Sequence, residues 1–117
     1  MRWILLIWMI GANVWAFADT EDVTVEAGKK VFSQTCIACH GANGKGIIPG
    51  VKDLSAADGP LSKSDEGLTI IITNGFQSPG SPLAMPAKGG NPSLTEADIQ
   101  AVLAYLRKAF GTATEKD

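Results

Sequence analysis

The feature that most constrains this chain is the run Cys36-Ile37-Ala38-Cys39-His40, in which two thiols lie three positions apart and a histidine follows directly. Residues three apart share one side of a helical turn, so both thiols can bond the same flat partner. C-x-x-C-H is the pattern for covalent attachment of a c-type haem. The sequence therefore predicts one haem c bonded through Cys36 and Cys39, with His40 as the proximal ligand of its iron.

Two other kinds of site use a similar pattern. A C-x-x-C redox pair of the thioredoxin type has a low-pKa thiol at a helix N-terminus and follows a strand in a βαβ pattern, which the sequence does not contain. A zinc site takes four nitrogen or sulfur ligands in a tetrahedron. Beyond Cys36, Cys39 and His40 the chain offers no further cysteine or histidine, and adjacent residues make poor joint ligands.

The first residues predict a secretory signal peptide. Arg2 is followed by an apolar stretch, and Ala16-Phe17-Ala18 precedes the first acid, Asp19. This is the order of a basic region, a hydrophobic region and an A-x-A cleavage site. We expect cleavage after Ala18 and a periplasmic or secreted protein. The alternative is an uncleaved anchor, although the apolar run barely reaches the ~17–20 residues of a spanning helix. We expect membrane association only in that case.

Residues 19–117 are predicted to form one domain, with its core at residues 25–111. After cleavage, His40 and Met85 are the sole histidine and the sole methionine. A domain of this size has a marginal core, which a porphyrin would complete. Losing Arg2 leaves twelve acids against nine lysines and arginines. No basic cluster suggests nucleic acid as a partner.

Apolar periodicity predicts an all-α fold with three to four short helices. The first spans about 25–35 and leads to the cysteine motif. The second spans about 65–73, with Ser64 as its N-cap, although its β-branched run leaves a strand as the alternative. The third spans 96–110 and begins with Thr95 and Asp98 in an imperfect capping box and ends before Gly111.

Two long irregular stretches, 41–63 and 74–92, separate these helices. Such stretches are unusual in a compact domain, but they can pack against the two faces of a large flat cofactor. Met85 lies in the second stretch, in Pro82-Leu83-Ala84-Met85-Pro86. A thioether is a soft neutral iron ligand, and prolines reduce the entropy that the loop loses on ordering. We therefore predict Met85 as the second axial ligand. The alternative is that Met85 fills a gap in the core.

The sequence from 25 to 111 resembles that of the class I monohaem c-type cytochromes. The resemblance rests on the N-terminal helix with Gly28, the C-x-x-C-H-G run, the Asn74-Gly75 turn, Met85-Pro86 and the C-terminal helix with Tyr105. It implies that the Gly28/Phe32 face crosses the Val102/Tyr105 face nearly at right angles.

The resemblance also implies that the Pro49 carbonyl accepts a hydrogen bond from the second ring nitrogen of His40, which would orient the ligand. It implies transient docking with redox partners, with Lys45, Lys52 and Lys88 as rim contacts; the alternative is that these are ordinary solvated lysines. We expect a monomer. The mature chain has no tryptophan, so a tryptophan bond to a haem propionate is excluded.

Two iron centres of different function are compatible with these residues. With both axial positions filled, the protein is an electron carrier and not an enzyme. With a labile sixth ligand, the same haem would serve an enzyme or a gas sensor. A third possibility is a haem subunit of a larger oxidoreductase, which keeps the chemistry of the first and changes only the partner.

Overall fold

The computed structural model describes Gly11 and residues 20–111. Apart from Gly11, the predicted signal peptide at 1–18 lies outside the described residues. The elements, in chain order, are α1 at Thr20–Val31, a π turn at Phe32–Cys36, α2 at Ile37–His40, a 3₁₀ turn at Pro60–Ser62, α3 at Asp65–Asn74, a second 3₁₀ turn at Ala87–Gly90 and α4 at Glu96–Phe110. In the described part of the chain the only β pairing is one isolated bridge, so the predicted all-α class is confirmed. No helix there has the length and apolarity to cross a bilayer.

The first helix differs from its predicted bounds at both ends. It begins at Thr20 and not near Val25, with Glu21 and Asp22 in its first turn, where carboxylates interact favourably with the helix dipole. It ends at Val31 and continues as a π turn from Phe32 to Cys36. A π turn places one extra residue in the helical ladder. The cysteine motif is therefore out of phase with the face of α1, which a 3.6-residue period cannot predict.

Helices α1 and α4 make the main helix–helix contact of the fold. Gly28 is buried at this contact. A Cβ on Gly28 would overlap the Ala101 carbonyl and lie 2.8 Å from the Cβ of Tyr105. The close approach of the two backbones explains a glycine inside a helix, where it costs about 1 kcal/mol relative to alanine.

Three aromatic rings pack beside this contact. The Phe32 ring centroid lies 5.4 Å from that of Tyr105 and 5.5 Å from that of Phe110, within the range of favourable ring pairs. Phe32 and Val102 are almost completely buried, each 1% exposed. The Gly28/Phe32 and Val102/Tyr105 faces are therefore in contact, and the nearly perpendicular crossing stays a prediction.

The bounds of α4 are those that the sequence predicts, and its cap is complete. The Thr95 hydroxyl accepts a hydrogen bond from Asp98 N at 3.1 Å, while Thr95 N donates to the Asp98 carboxylate at 3.0 Å. Aspartate thus completes a capping box that usually has glutamate or glutamine. At the other end, Gly111 N donates to the Arg107 carbonyl, but Gly111 has a φ of −65°. Gly111 is therefore not the left-handed glycine that commonly ends a helix.

Helix α3 is confirmed as a helix, with its N-cap at Ser64, whose hydroxyl accepts from Gly67 N at 3.1 Å. It is fastened to α4 by Arg107. The Arg107 guanidinium donates to the Leu61 carbonyl at 3.0 Å, to the Lys63 carbonyl at 2.8 Å and to the Asp65 carboxylate. These three bonds hold the start of α3 and the preceding 3₁₀ turn against α4.

Candidate cofactor site

The loops and helices enclose an apolar cavity of about 420 Å³, within the size range of cofactor sites. Its walls are mainly aliphatic and aromatic and include Phe32, Leu54, Leu61, Leu68, Leu94 and Leu106. Of the predicted site residues, Cys36, Cys39, His40 and Met85 all line this cavity. Pro49 is exposed and lies outside the lining, whereas the next residues, Gly50 to Lys52, belong to it.

The cysteine motif is placed by one helical turn and the loop that folds back on it. Helix α2 ends at His40, and Gly41 after it has a φ of +77°, a conformation that glycine adopts at little cost. The loop then returns, with Gly46 N donating to the His40 carbonyl at 2.7 Å and Ile47 N donating to the Cys39 carbonyl at 3.0 Å. These bonds satisfy carbonyls at the end of a helix and fix the motif at the cavity wall.

His40 is half-buried, and burial lowers the pKa of its imidazole. A lowered pKa leaves the ring neutral at neutral pH, which is the form that binds a metal. Its Nδ1 atom is buried and has no hydrogen-bond partner. The predicted bond to the Pro49 carbonyl is therefore not formed in the structure. Pro49 lies in an exposed turn, in which Val51 N donates to the Ile48 carbonyl, and its role stays a prediction.

The two cysteines are free thiols and are half-buried. Burial and the neighbouring Cys39 raise the pKa of Cys36 to about 11. A redox-active or exchange-active cysteine has a lowered pKa instead, so the thioredoxin-like alternative gains no support. In the described residues, no group of three or more histidine, cysteine and acidic side chains could hold a metal ion. The zinc alternative gains no support either.

Met85 reaches the cavity from the second long loop, where its backbone is fixed. Met85 N donates to the Phe76 carbonyl at 2.7 Å, and Phe76 N donates to the Met85 carbonyl at 2.9 Å. Gly75, with a φ of +82°, lies beneath this pair: a Cβ there would lie 2.7 Å from the Met85 carbonyl oxygen and 2.9 Å from Ala87 N. Because residue 75 is a glycine, the backbone at the end of α3 can approach the Met85 segment closely enough for these two hydrogen bonds to form.

The donor set and the cavity fit a c-type haem. A neutral imidazole and a thioether are axial ligands that haem iron takes in cytochromes c. Two free thiols three residues apart meet the requirement for two thioether bonds, and the apolar walls suit the porphyrin. His40 Nδ1 is buried without a hydrogen-bond partner. Such an orphaned polar atom is uncommon in a folded protein and marks a site that a bound group or a water completes.

A helical frame around an apolar cavity, with C-x-x-C-H on its wall, defines a c-type haem protein. A model of the cytochrome c family matches residues 25–110. The chain belongs to the cytochrome c family. It therefore carries covalently bound haem c and takes part in haem-based electron transfer.

The relatives to which this chain is similar differ widely in length. Cytochrome c-555 of Prosthecochloris aestuarii is 34% identical over 94 residues, which cover 76% of this chain and 91% of the relative. Lupanine 17-hydroxylase [cytochrome c] of a Pseudomonas species is 36% identical over 75% of this chain, but the match covers 12% of the relative. The cbb3-type cytochrome c oxidase subunit CcoP of Rhodobacter capsulatus is 29% identical over 78% of this chain and 31% of the relative.

Several residues of the site could not be found from the sequence. Thr35 and Asn91 join the segment of the cysteine motif to the segment of Met85 although 56 positions separate them. Phe76 pairs with Met85 through backbone atoms, which leave no trace in side-chain patterns. The sequence signals nearest to these contacts were the Asn74-Gly75 turn and the Gly89-Gly90 pair, since glycines mark close approaches of backbone.

Proposed function

We propose that this chain is a one-electron carrier and not an enzyme. In this proposal Cys36 and Cys39 would bond the haem, and His40 and Met85 would supply the two donors to its iron. The observation that carries it is that one apolar cavity is lined by both thiols, the imidazole and the thioether. The two axial donors come from different segments, which is the arrangement that encloses a flat group between them.

The chain's own residues determine how the haem would work. The haem supplies an iron that alternates between two oxidation states. The low pKa of His40 keeps a neutral donor available, and the Phe76 pairing holds Met85 at the wall. A thioether raises the reduction potential and fills the sixth position. If His40 and Met85 both bind the iron, a substrate would have no place on it, and the haem would supply electron transfer alone.

The surface near the cysteine motif and the Met85 loop suits a transient redox partner. Ile47 and Leu83 are 67% and 41% exposed. Of the predicted rim lysines, Lys45 and Lys52 are exposed and Lys88 is half-buried, and both Lys52 and Lys88 line the cavity. Small contact areas are typical of electron-transfer encounters. The partner is therefore proposed as another redox protein that a monomer docks briefly.

An optical spectrum of the haem protein together with a Met85→Ala variant tests the axial ligand. Thioether ligation of ferric haem gives a weak far-red band that an open site lacks. We expect the wild type to show this band, and the variant to lose it and to have a reduction potential lower by on the order of 0.1–0.3 V. Leu83→Ala, an exposed change in the same loop, serves as the control and keeps both. A wild type without the band, whose reduced form readily binds carbon monoxide, would instead favour the haem enzyme or gas sensor.

A second candidate function is a haem unit within a larger oxidoreductase. The observation that favours it is that lupanine 17-hydroxylase and CcoP are much longer than the segments that match this chain. Copurification from the native cells distinguishes the two functions. A stable complex with a dehydrogenase or oxidase supports this candidate, whereas a monomeric haem protein supports the free carrier.

We also propose that residues 1–18 are a signal peptide removed after Ala18, and that residues 19–117 form the periplasmic or secreted domain. The apolar segment with Arg2 and the Ala16-Phe17-Ala18 pattern support this processing. Intact mass of the secreted protein tests it. The expected mass is that of residues 19–117 plus one haem. A mass that includes residues 1–18 would favour the uncleaved anchor.

A further inference from the structure

We propose that Thr35 is a positioning residue that fastens the Met85 loop to the cysteine motif and keeps the sixth iron position closed. This inference rests on the proposed axial role of Met85. Thr35 directly precedes Cys36 and lines the same cavity as Met85. It thereby lies where the segment that carries the haem bonds meets the segment that carries the second axial donor.

Both functional groups of the Thr35 side chain contact the Met85 loop. Its hydroxyl oxygen accepts a hydrogen bond from Asn91 Nδ2 at 3.4 Å. Its methyl group lies against Gly89, where a Cβ would be 2.8 Å from Thr35 Cγ2. Serine would keep the hydroxyl and lose the methyl, and valine would do the reverse. Threonine is therefore the residue that provides both contacts.

The loop between Met85 and Asn91 has a backbone that needs such a support. Lys88, Gly89 and Gly90 have φ values of 54°, 63° and 84°. In the described residues Lys88 is the only residue other than glycine with a positive φ. Such a conformation costs free energy and persists only where neighbouring contacts hold it. The Thr35 contacts, at Gly89 and Asn91, lie one and three residues after Lys88 and supply that support.

Met85 is consequently fixed on both sides. On the N-terminal side it pairs with Phe76 at the end of α3. On the C-terminal side the turn of residues 86–91 leads to Thr35, with Gly89 N donating to the Pro86 carbonyl at 3.1 Å. Loss of the Thr35 contacts would free the second side, because Lys88 could then relax to a negative φ. Met85 would leave the cavity wall more often, and the sixth position would open.

Imidazole binding to the ferric haem protein measures this opening. An added ligand binds only the fraction of molecules in which the sixth position is free, so its apparent affinity increases with that fraction. We expect Thr35→Val and Asn91→Ala each to tighten imidazole binding about fivefold, the factor that corresponds to one net hydrogen bond. Thr69→Val is the matched control: its hydroxyl accepts from Gln100 Nε2 at 3.2 Å, but it does not line this cavity.

A second pair of variants tests the methyl contact. Gly89→Ala should tighten imidazole binding and weaken the far-red band, since its Cβ would displace Thr35. In a Thr35→Ser background the same Gly89→Ala change should have a smaller effect, because the methyl group that it meets is gone. An equal effect of Gly89→Ala in both backgrounds would show that the left-handed backbone alone is responsible and would overturn the methyl contact.

The outcomes separate this inference from the proposed function. If the wild type has the far-red band and Thr35→Val and Asn91→Ala bind imidazole like the wild type, the role of Thr35 is overturned and Met85 ligation stands. The role is also overturned if Thr69→Val changes imidazole binding as much, because the effect would then follow general stability. A wild type that lacks the band and binds imidazole as an open site would overturn both proposals.

Discussion

The contact between α1 and α4 consists of side chains and backbones that fit one another, whereas the loops of residues 41–63 and 75–94 surround a cavity. At the helix contact, Gly28 lets the backbones approach and Phe32 is almost completely buried. Around the cavity, Leu54, Leu61 and Leu94 are buried beside space of about 420 Å³. The first region completes its packing within the polypeptide, and the second completes it on a cofactor.

This difference teaches that the cofactor is part of the core. Ordering a residue costs about 1–2 kcal/mol of backbone entropy, and the two loops have little regular structure to offset it. Their apolar side chains gain most when a flat apolar group fills the space between them. A domain of this length has little stability to spare. We therefore expect the helices to be stable only when the loops are ordered, and the loops to be ordered only when the haem is bound.

Removal of the two cysteines that attach the haem should have the largest effect on folding. In a Cys36→Ala/Cys39→Ala variant we expect loss of haem and of most of the helical signal in far-UV circular dichroism, because the loops lose the group on which they fold. Ala38→Ser, an exposed change between the two cysteines, should keep haem and helix content. Native helix content in the double variant would contradict the dependence of the frame on the cofactor.

A change in the helix contact should have an intermediate effect. Gly28→Ala should lower the free energy of unfolding of the haem protein by about 1–3 kcal/mol, the usual cost of overpacking, although alanine is about 1 kcal/mol the better helix former. The reason is the overlap with the Ala101 carbonyl. Urea unfolding measures it.

Gly67→Ala in α3 provides the control, since a Cβ there would contact only the Ser64 hydroxyl, at 3.3 Å. Its free energy of unfolding should stay unchanged or increase by up to about 1 kcal/mol. Equal destabilisation by both changes would show that loss of a helical glycine is costly in itself and that the close approach of α1 and α4 is not the cause.

Removal of the Asp98 carboxylate from the cap of α4 should have the smallest effect on stability, and this effect should depend on pH. Hydrogen bonds from the backbone and side chain of Thr95 lower the pKa of Asp98. The cap therefore stabilises the fold above the pKa of Asp98 in the unfolded chain, and this stabilisation is lost as the pH falls through the lower folded pKa. Urea midpoints of wild type and Asp98→Asn should differ more at neutral pH than in acid. A difference independent of pH would exclude the Asp98 carboxylate as its source.

Local patterns allowed much of the frame to be predicted. Helix α4 and its cap follow from apolar spacing, Thr95 and Asp98, and α3 follows from Ser64 and Gly75. The start of α1 was placed too late because its first turn is polar and exposed, so no apolar period marks it. The cysteine motif needs no fold to be recognised, because its chemistry depends on adjacent residues alone.

The contacts between distant segments could not be predicted. Arg107 could be assigned to the end of a helix by its charge, but not to the carbonyls of Leu61 and Lys63. The contacts of Thr35 depend on how two loops meet, and loop conformation follows from backbone angles such as that of Lys88. Side-chain periodicity carries no information on either. The negative φ of Gly111 is likewise not visible in the sequence, where only its position after the last helical residue can be read.

The number of residues in the π turn at Phe32–Cys36 determines the direction in which the two thiols point. Each residue of a helix advances the side-chain direction by about 100°, so removal of one residue from this turn would rotate both thiols away from the cavity while α1 kept its seat on α4. Insertions elsewhere, as in the exposed part of the loop around Ala57, leave that angle alone. Variation in length within this architecture is thus tolerable on the loop side of the haem and forbidden on the helix side.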